Sequence, residues 1–119
     1  MTCNIEGYLH EHGYAIVDKD AMPFLRGLTK IDLIVFDHGA NAIAGVSLRR
    51  SSASAEDDMA EWTHKDMAYF KRATKRWCEK QKLFVKYRAD AIFVRPNGEL
   101  DHVIGREYTR VKEERREVK

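Results

Sequence analysis

The stretch Lys30-Ile31-Asp32-Leu33-Ile34-Val35-Phe36, then Asp37-His38-Gly39, then Asn41-Ala42-Ile43-Ala44-Gly45-Val46-Ser47-Leu48, decides the fold of this chain. Its first part is β-branched and apolar on both faces apart from Asp32, the pattern of a strand buried within a sheet. Asp-His-Gly supplies turn chemistry. Residues 41–48 read as a return strand, so residues 31–48 form a hairpin. Asp32 breaks the pattern. It places a carboxylate in an apolar strand, where a charge is costly unless it is paired or put to use. The bland explanation is pairing with Lys30, two residues away on the same face, or with a nearby arginine.

Upstream, Ile5, Tyr8 and Leu9 fall at helical spacing over residues 5–12, and Gly13 suits the C-terminal cap. Tyr14 to Asp18 reads as a first strand, and residues 19–29, with Pro23 and Gly27, as a loop. Downstream, residues 54–82 read as one long helical region. Ser54 caps it, Glu56, Asp57 and Asp58 favour the dipole of its first turn, and Thr63-His64 marks a point where it can divide. Met67, Phe70, Thr74 and Trp77 make its buried stripe. Ala89 to Arg95 is a further strand, Pro96-Asn97-Gly98 a strong turn, and Leu100 to Gly105 the returning strand. From Glu107 the chain is charged and reads as a frayed helix or mobile tail. The order α-β-β-β-α-β-β predicts a mixed α/β core over residues 1–106, with a charged tail at 107–119. The helix crosses between the third and fourth strands, right-handed if those strands are parallel.

At 119 residues the chain fits one domain. Its 44% hydrophobic and 34% charged content is that of a globular protein. No apolar run approaches the roughly 20 residues that span a bilayer, and no secretory signal is visible, so no membrane partner is expected. Two cysteines, Cys3 and Cys78, cannot build a disulfide framework or a four-cysteine metal site. The expectation is a cytoplasmic protein with reduced thiols. The net charge of +2 hides an asymmetry. Residues 1–60 hold 5 Lys+Arg against 9 Asp+Glu, and residues 61–119 hold 16 against 10. Residues 71–88 alone carry eight basic residues against the single acid Glu79. Such clustering hints at a polyanion partner or, more blandly, a solvated helix face.

Five segments in order resemble one family. Gly7-Tyr8-Leu9 with Gly13-Tyr14-Ala15-Ile16 looks like its opening helix and first strand. Lys30-Ile31-Asp32-Leu33-Ile34 looks like its Gly-Glu-Ile-Asp-Leu-Ile strand. Ala44 to Ser51 stands where its Val-Glu-Val-Lys-x-Arg strand belongs, Lys65 to Trp77 where its basic helix does, and Arg88-Ala89-Asp90-Ala91-Ile92-Phe93-Val94 where its Arg-Phe-Asp-Val-x-x-Val strand does. Over about residues 5–105 the chain resembles the YraN-like family of small bacterial proteins, in the restriction-endonuclease-like superfamily whose nucleases carry a PD-(D/E)XK signature. The resemblance implies a restriction-endonuclease-like mixed sheet of about five strands, a short N-terminal helix and a long basic crossover helix.

It also implies a degenerate active site. Nucleases of this superfamily hold a divalent metal with carboxylates, and the metal polarises the phosphate and lowers the pKa of the attacking water. A neighbouring lysine stabilises charge in the transition state. In a strand, residues i and i+2 share a face, so the E-x-K carboxylate and ammonium converge. Asp32 is present. The glutamate position is Gly45, the lysine position is Ser47, the glutamate before Ile-Asp is Lys30, and the acid of the opening helix falls near Thr2. One carboxylate is a poor Mg²⁺ site, so no catalytic residue is assigned, Asp32 is at most a metal ligand, and no cofactor is expected. Mg²⁺ or Mn²⁺ enters only in the minority reading, an active nuclease rescued by a carboxylate from Asp18, Asp20 or Asp37.

His10, His12, His38, His64 and His102 are scattered, and His10 and His12 lack the i, i+4 spacing of a helical metal site. Cys78, beside Trp77, reads as a core or semi-buried thiol. Arg49 and Arg50, with Lys65, Lys71, Arg72, Lys75 and Arg76, are candidates to line a groove for phosphates. Trp62, Tyr69 and Trp77 are candidates for base stacking, with Trp77 better placed in the core. The leading expectation is a non-catalytic nuclease-fold protein that binds DNA, duplex or branched, through a basic face. The alternative is a protein-interaction or scaffold module that uses an apolar surface or sheet edge of residues 31–48. A homodimer fits either.

Overall fold

The hairpin at residues 31–48 forms the middle of a five-stranded mixed sheet. The computed structural model describes residues 5–22, 30–50, 62 and 64–109. The elements are α1 (Ile5–Glu11), β1 (Tyr14–Ala21), β2 (Ile31–Asp37), β3 (Ala42–Arg50), α2 (His64–Lys80), β4 (Lys86–Val94) and β5 (Leu100–Val103). The sheet order is β1-β2-β3-β4-β5. All neighbours are antiparallel except β3 and β4, which the α2 connection makes parallel. The expected order α-β-β-β-α-β-β holds.

The sheet has a core on each face, and strand alternation assigns residues to them. Leu33, Val35, Ala44, Val46 and Ile92 pack with Leu9 of α1. Ile34, Ile43, Tyr87, Ala91 and Phe93 pack with Phe70, Ala73, Trp77 and Cys78 of α2. The stripe read on α2 is therefore the buried one, with Thr74 at its centre and Cys78 as a core thiol. At the end of α1, Gly13 takes φ 83° and its N–H bonds back to the His10 carbonyl, a cap that a residue with a Cβ adopts only with strain.

Several boundaries differ from the sequence reading. β1 runs through Ala21 rather than ending at Asp18, because pairing resumes after a bulge between Ile16 and Asp18. β4 begins at Lys86, three residues before the start read from the pattern and two before the Arg88 start that the resemblance implied, and Tyr87 and Arg88 are buried. β5 ends at Val103. α2 runs from His64, the point where the long helical region can divide, to Lys80, two residues short of the end read, and the reading of residues 54–61 and 63 lies outside the described residues. Packed structure continues past residue 106, since Tyr108 forms an antiparallel bridge with Tyr87. The expected free edge at residues 31–48 is corrected as well. β2 and β3 are paired on both sides, and the sheet edges belong to β1 and β5.

Candidate functional site

Strands β2 and β3 pair from Leu33↔Val46 onward. Asp32 and Leu48 lie just beyond, where the strands part. Asp32 Oδ2 accepts the Leu48 N–H at 2.7 Å, so the carboxylate satisfies an amide that the sheet leaves without a partner. A pocket of about 410 Å³ opens here, lined by Ile5, Glu6, Lys19, Asp20, Asp32, Leu33 and Leu48.

Its charges are locally balanced. β1–β2 pairing at Lys19↔Leu33 and Ala21↔Ile31 sets Asp20 opposite Asp32. Like charges opposed across a ladder repel, and Lys30 offsets this with its Nζ 3.1 Å from Asp20 Oδ1 and 3.5 Å from Asp32 Oδ1. Lys19 pairs with Glu6 at 2.8 Å. Hydrogen bonding to Asp20, with the charge of Asp32, pushes the Lys30 pKa up, and Glu6 does the same for Lys19. Both ammonium groups thus stay charged well above neutral pH. Of the three acids considered for a migrated ligand, only Asp20 reaches this pocket. Asp18 accepts the Trp77 indole N–H at 2.9 Å, and Asp37 holds Arg88 at 2.8 Å. Glu6 was missed by the sequence reading. The position near Thr2, where that reading placed the acid of the opening helix, lies outside the described residues. Among the described residues, no group of three or more His, Cys, Asp or Glu is placed to hold a metal ion.

The E-x-K positions point elsewhere. Gly45 faces α2, and a Cβ there would collide with the Thr74 hydroxyl and stand 3.3 Å from Ile31 Cγ2. Glycine permits the closest approach of helix to sheet, and a glutamate cannot enter without displacing α2. Ser47, on the same face, is buried and accepts from Arg49 Nε at 3.3 Å.

A second constellation, buried on the α1 face, centres on Arg88 and Asp90. Arg88 donates to Asp90 from Nε at 2.9 Å, to Asp37 from Nη1 at 2.8 Å and to the Tyr14 hydroxyl from Nη2 at 3.0 Å. It reaches Asp37 across β3 because Ala42 and Ala44 stand between them on the same face. Asp90 also accepts the Gly105 N–H and His102 Nε2, each at 2.9 Å. A carboxylate only accepts, so His102 carries a hydrogen on Nε2, and its Nδ1 meets the Tyr8 hydroxyl at 3.0 Å. The line Tyr8–His102–Asp90 has the connectivity of a nucleophile, base and orienter. Its electrostatics oppose that use: burial, then the charges of Tyr14, Asp90 and Asp101, push the Tyr8 phenol pKa up, away from an activated phenolate. Burial likewise pushes Asp37 up, but hydrogen bonds from Arg88 and the Ala40 amide outweigh it and hold the carboxyl below its ordinary range. This network fastens α1, β1, β2 and β5 to β4.

The described basic candidates divide between faces. Arg49 lies over the Trp62 ring at 4.9 Å, with Asp66 at 3.9 Å, and Trp62 is buried rather than offered to a base. Arg50, next along β3, projects by alternation to the opposite face. Lys65 belongs to α2, and its side chain lies outside the described residues. Arg72, Lys75, Arg76 and Lys80 are exposed at i, i+3, i+4 and i+8, one stripe on the outward side of α2. The nearest acid, Glu79, meets Arg76 at 3.7 Å. Among the described residues no helix is long and apolar enough to cross a membrane. No protein-family model matches the chain, and no curated protein sequence does either.

Proposed function

We propose that this is a YraN-like protein of restriction-endonuclease-like descent, without metal-dependent nuclease activity, that binds nucleic acid through the outward face of α2. The observation that carries the binding is the Arg72–Lys75–Arg76–Lys80 stripe. Phe70, Ala73, Thr74 and Trp77 fix the opposite face of the helix in the core, so the cations are presented on a rigid element. Over eight residues the stripe spans about 12 Å, enough to follow several phosphates of one strand. The family reading is supported by the strand order and by the parallel β3–β4 pair joined through α2. The non-catalytic reading is supported by the pocket, where Lys30 already bridges two carboxylates, and by Gly45 and Ser47 facing away from Asp32.

The test is binding of labelled duplex and branched DNA in EDTA by wild type and by Lys75→Glu/Arg76→Glu. Both positions are exposed, so the variant is expected to fold and to lose binding. Undiminished binding by the folded variant would overturn the assignment of this face.

A further inference from the structure

The outward face of α2 is flanked by aromatic rings that already hold cations. Tyr108 joins the sheet beside Tyr87, with N–H to carbonyl bonds of 2.9 and 2.8 Å in the two directions. The two rings stack at 5.7 Å between centroids and 28° between planes. Lys71 Nζ lies 4.2 Å from the Tyr108 ring, and the Arg106 guanidinium 5.5 Å from it. Near the start of the stripe, the Arg72 guanidinium lies 5.8 Å from the Tyr69 ring. Both tyrosines are partly exposed.

Phosphate-only binders of duplex DNA have no use for such rings, because the base faces are closed within the stack. Cations interleaved with aromatic rings suit an extended single strand, whose backbone follows the charges while its bases stack. We infer that Tyr108, with Lys71 and Arg106, is a base-stacking platform and that the ligand of this face is a single-stranded nucleic acid. The inference rests on the nucleic-acid reading above and names its substrate class. Lys71 does not block the site. Its flexible stem lets the ammonium leave the ring for a phosphate as a base takes its place, and an exposed cation–ring contact is weaker than base stacking.

The experiment is fluorescence polarisation of a labelled oligothymidylate, the same sequence as RNA, and a duplex of equal length, in EDTA at fixed salt. The single strands are expected to bind tighter than the duplex, and the DNA and RNA arms tell which sugar is preferred. Tyr108→Leu weakens single-strand binding roughly 5- to 150-fold, the range for losing one stacked base, and leaves duplex binding unchanged. Tyr108→Phe binds as wild type. If the leucine variant does not fold, Tyr108→Trp decides: its indole fluorescence must be quenched by the oligothymidylate. The inference is overturned if Tyr108→Leu changes nothing, if it weakens strand and duplex equally, if the tryptophan is not quenched, or if the duplex binds tighter than both single strands. Loss of all binding in Lys75→Glu/Arg76→Glu, with none in Tyr108→Leu, sinks the stacking platform alone. A wild type that binds no nucleic acid sinks the proposed function as well.

Discussion

Replacing Gly45 by alanine tests how α2 is seated on the sheet, and with it why this position does not admit a glutamate. The new Cβ would collide with the Thr74 hydroxyl, which donates to the Phe70 carbonyl at 2.8 Å, and would stand 3.2 Å from Thr74 Cβ. Thr74 must rotate away, losing that bond, or the helix must lift. Overpacking of this kind costs about 1–3 kcal/mol, against a gain of about 0.4–1 kcal/mol from the stiffer unfolded chain. The net expectation is a loss of about 1–2 kcal/mol, or a Tm lowered by about 4–8 °C for a domain of this size. Thr74→Ala removes the obstructing oxygen and favours the helix. Gly45→Ala/Thr74→Ala is therefore more stable than Gly45→Ala alone, with a favourable coupling of about 1 kcal/mol by urea denaturation. A neutral Gly45→Ala, or a double variant whose costs simply add, refutes the reasoning.

Arg88→Ala strands the Asp90 carboxylate in the interior and is expected to cost about 3–5 kcal/mol in chemical denaturation. Asp37→Asn weakens one charged contact to Arg88, by about 1–3 kcal/mol at pH 7. Asp37 has a folded pKa below its unfolded one, so its contribution is present above about pH 4 and fades as pH falls through the folded value. The gap between wild type and Asp37→Asn must therefore narrow on acidification, and a gap that widens contradicts the assignment. Asp32→Ala orphans the Leu48 N–H and costs about 1–2 kcal/mol, and Asp32→Asn, which keeps an acceptor, recovers most of it. Incubation of plasmid and branched DNA with Mg²⁺ or Mn²⁺ is expected to give no cleavage; cleavage that vanishes in Asp32→Ala would restore the nuclease.

The elements with strong periodicity are legible in the amino-acid sequence alone: the β2–β3 hairpin, the buried stripe of α2, and the turn at residues 96–98. Charged residues in strands are not. In the residue pattern, Lys86 and Arg88 hide the start of β4, because nothing local says that Arg88 will meet Asp37, 51 positions away in sequence; only the resemblance placed Arg88 in that strand. Lys19 and Asp20 hide the end of β1 for a similar reason, since a bulge interrupts the alternation that identifies a strand. At the candidate site, the pairing of Asp32 with Lys30 follows from adjacency. The arrival of Asp20 needs the β1–β2 register. Arg49 and Arg50 look equivalent in sequence, yet one step along a strand reverses the face.

The most direct measurement is the salt dependence of DNA affinity for the wild-type protein in EDTA. With Arg72, Lys75, Arg76 and Lys80 as the phosphate contacts, joined by Lys71 on a single strand, log K against log salt should fall with a slope of about −3.5 for a single strand and about the same for a duplex. Single-strand affinity then drops about 130-fold between 50 and 200 mM salt. Lys75→Gln should make that slope shallower by about one contact. A slope near zero, a slope unmoved by that substitution, or no binding at 50 mM salt would contradict the claim that this face of α2 binds nucleic acid.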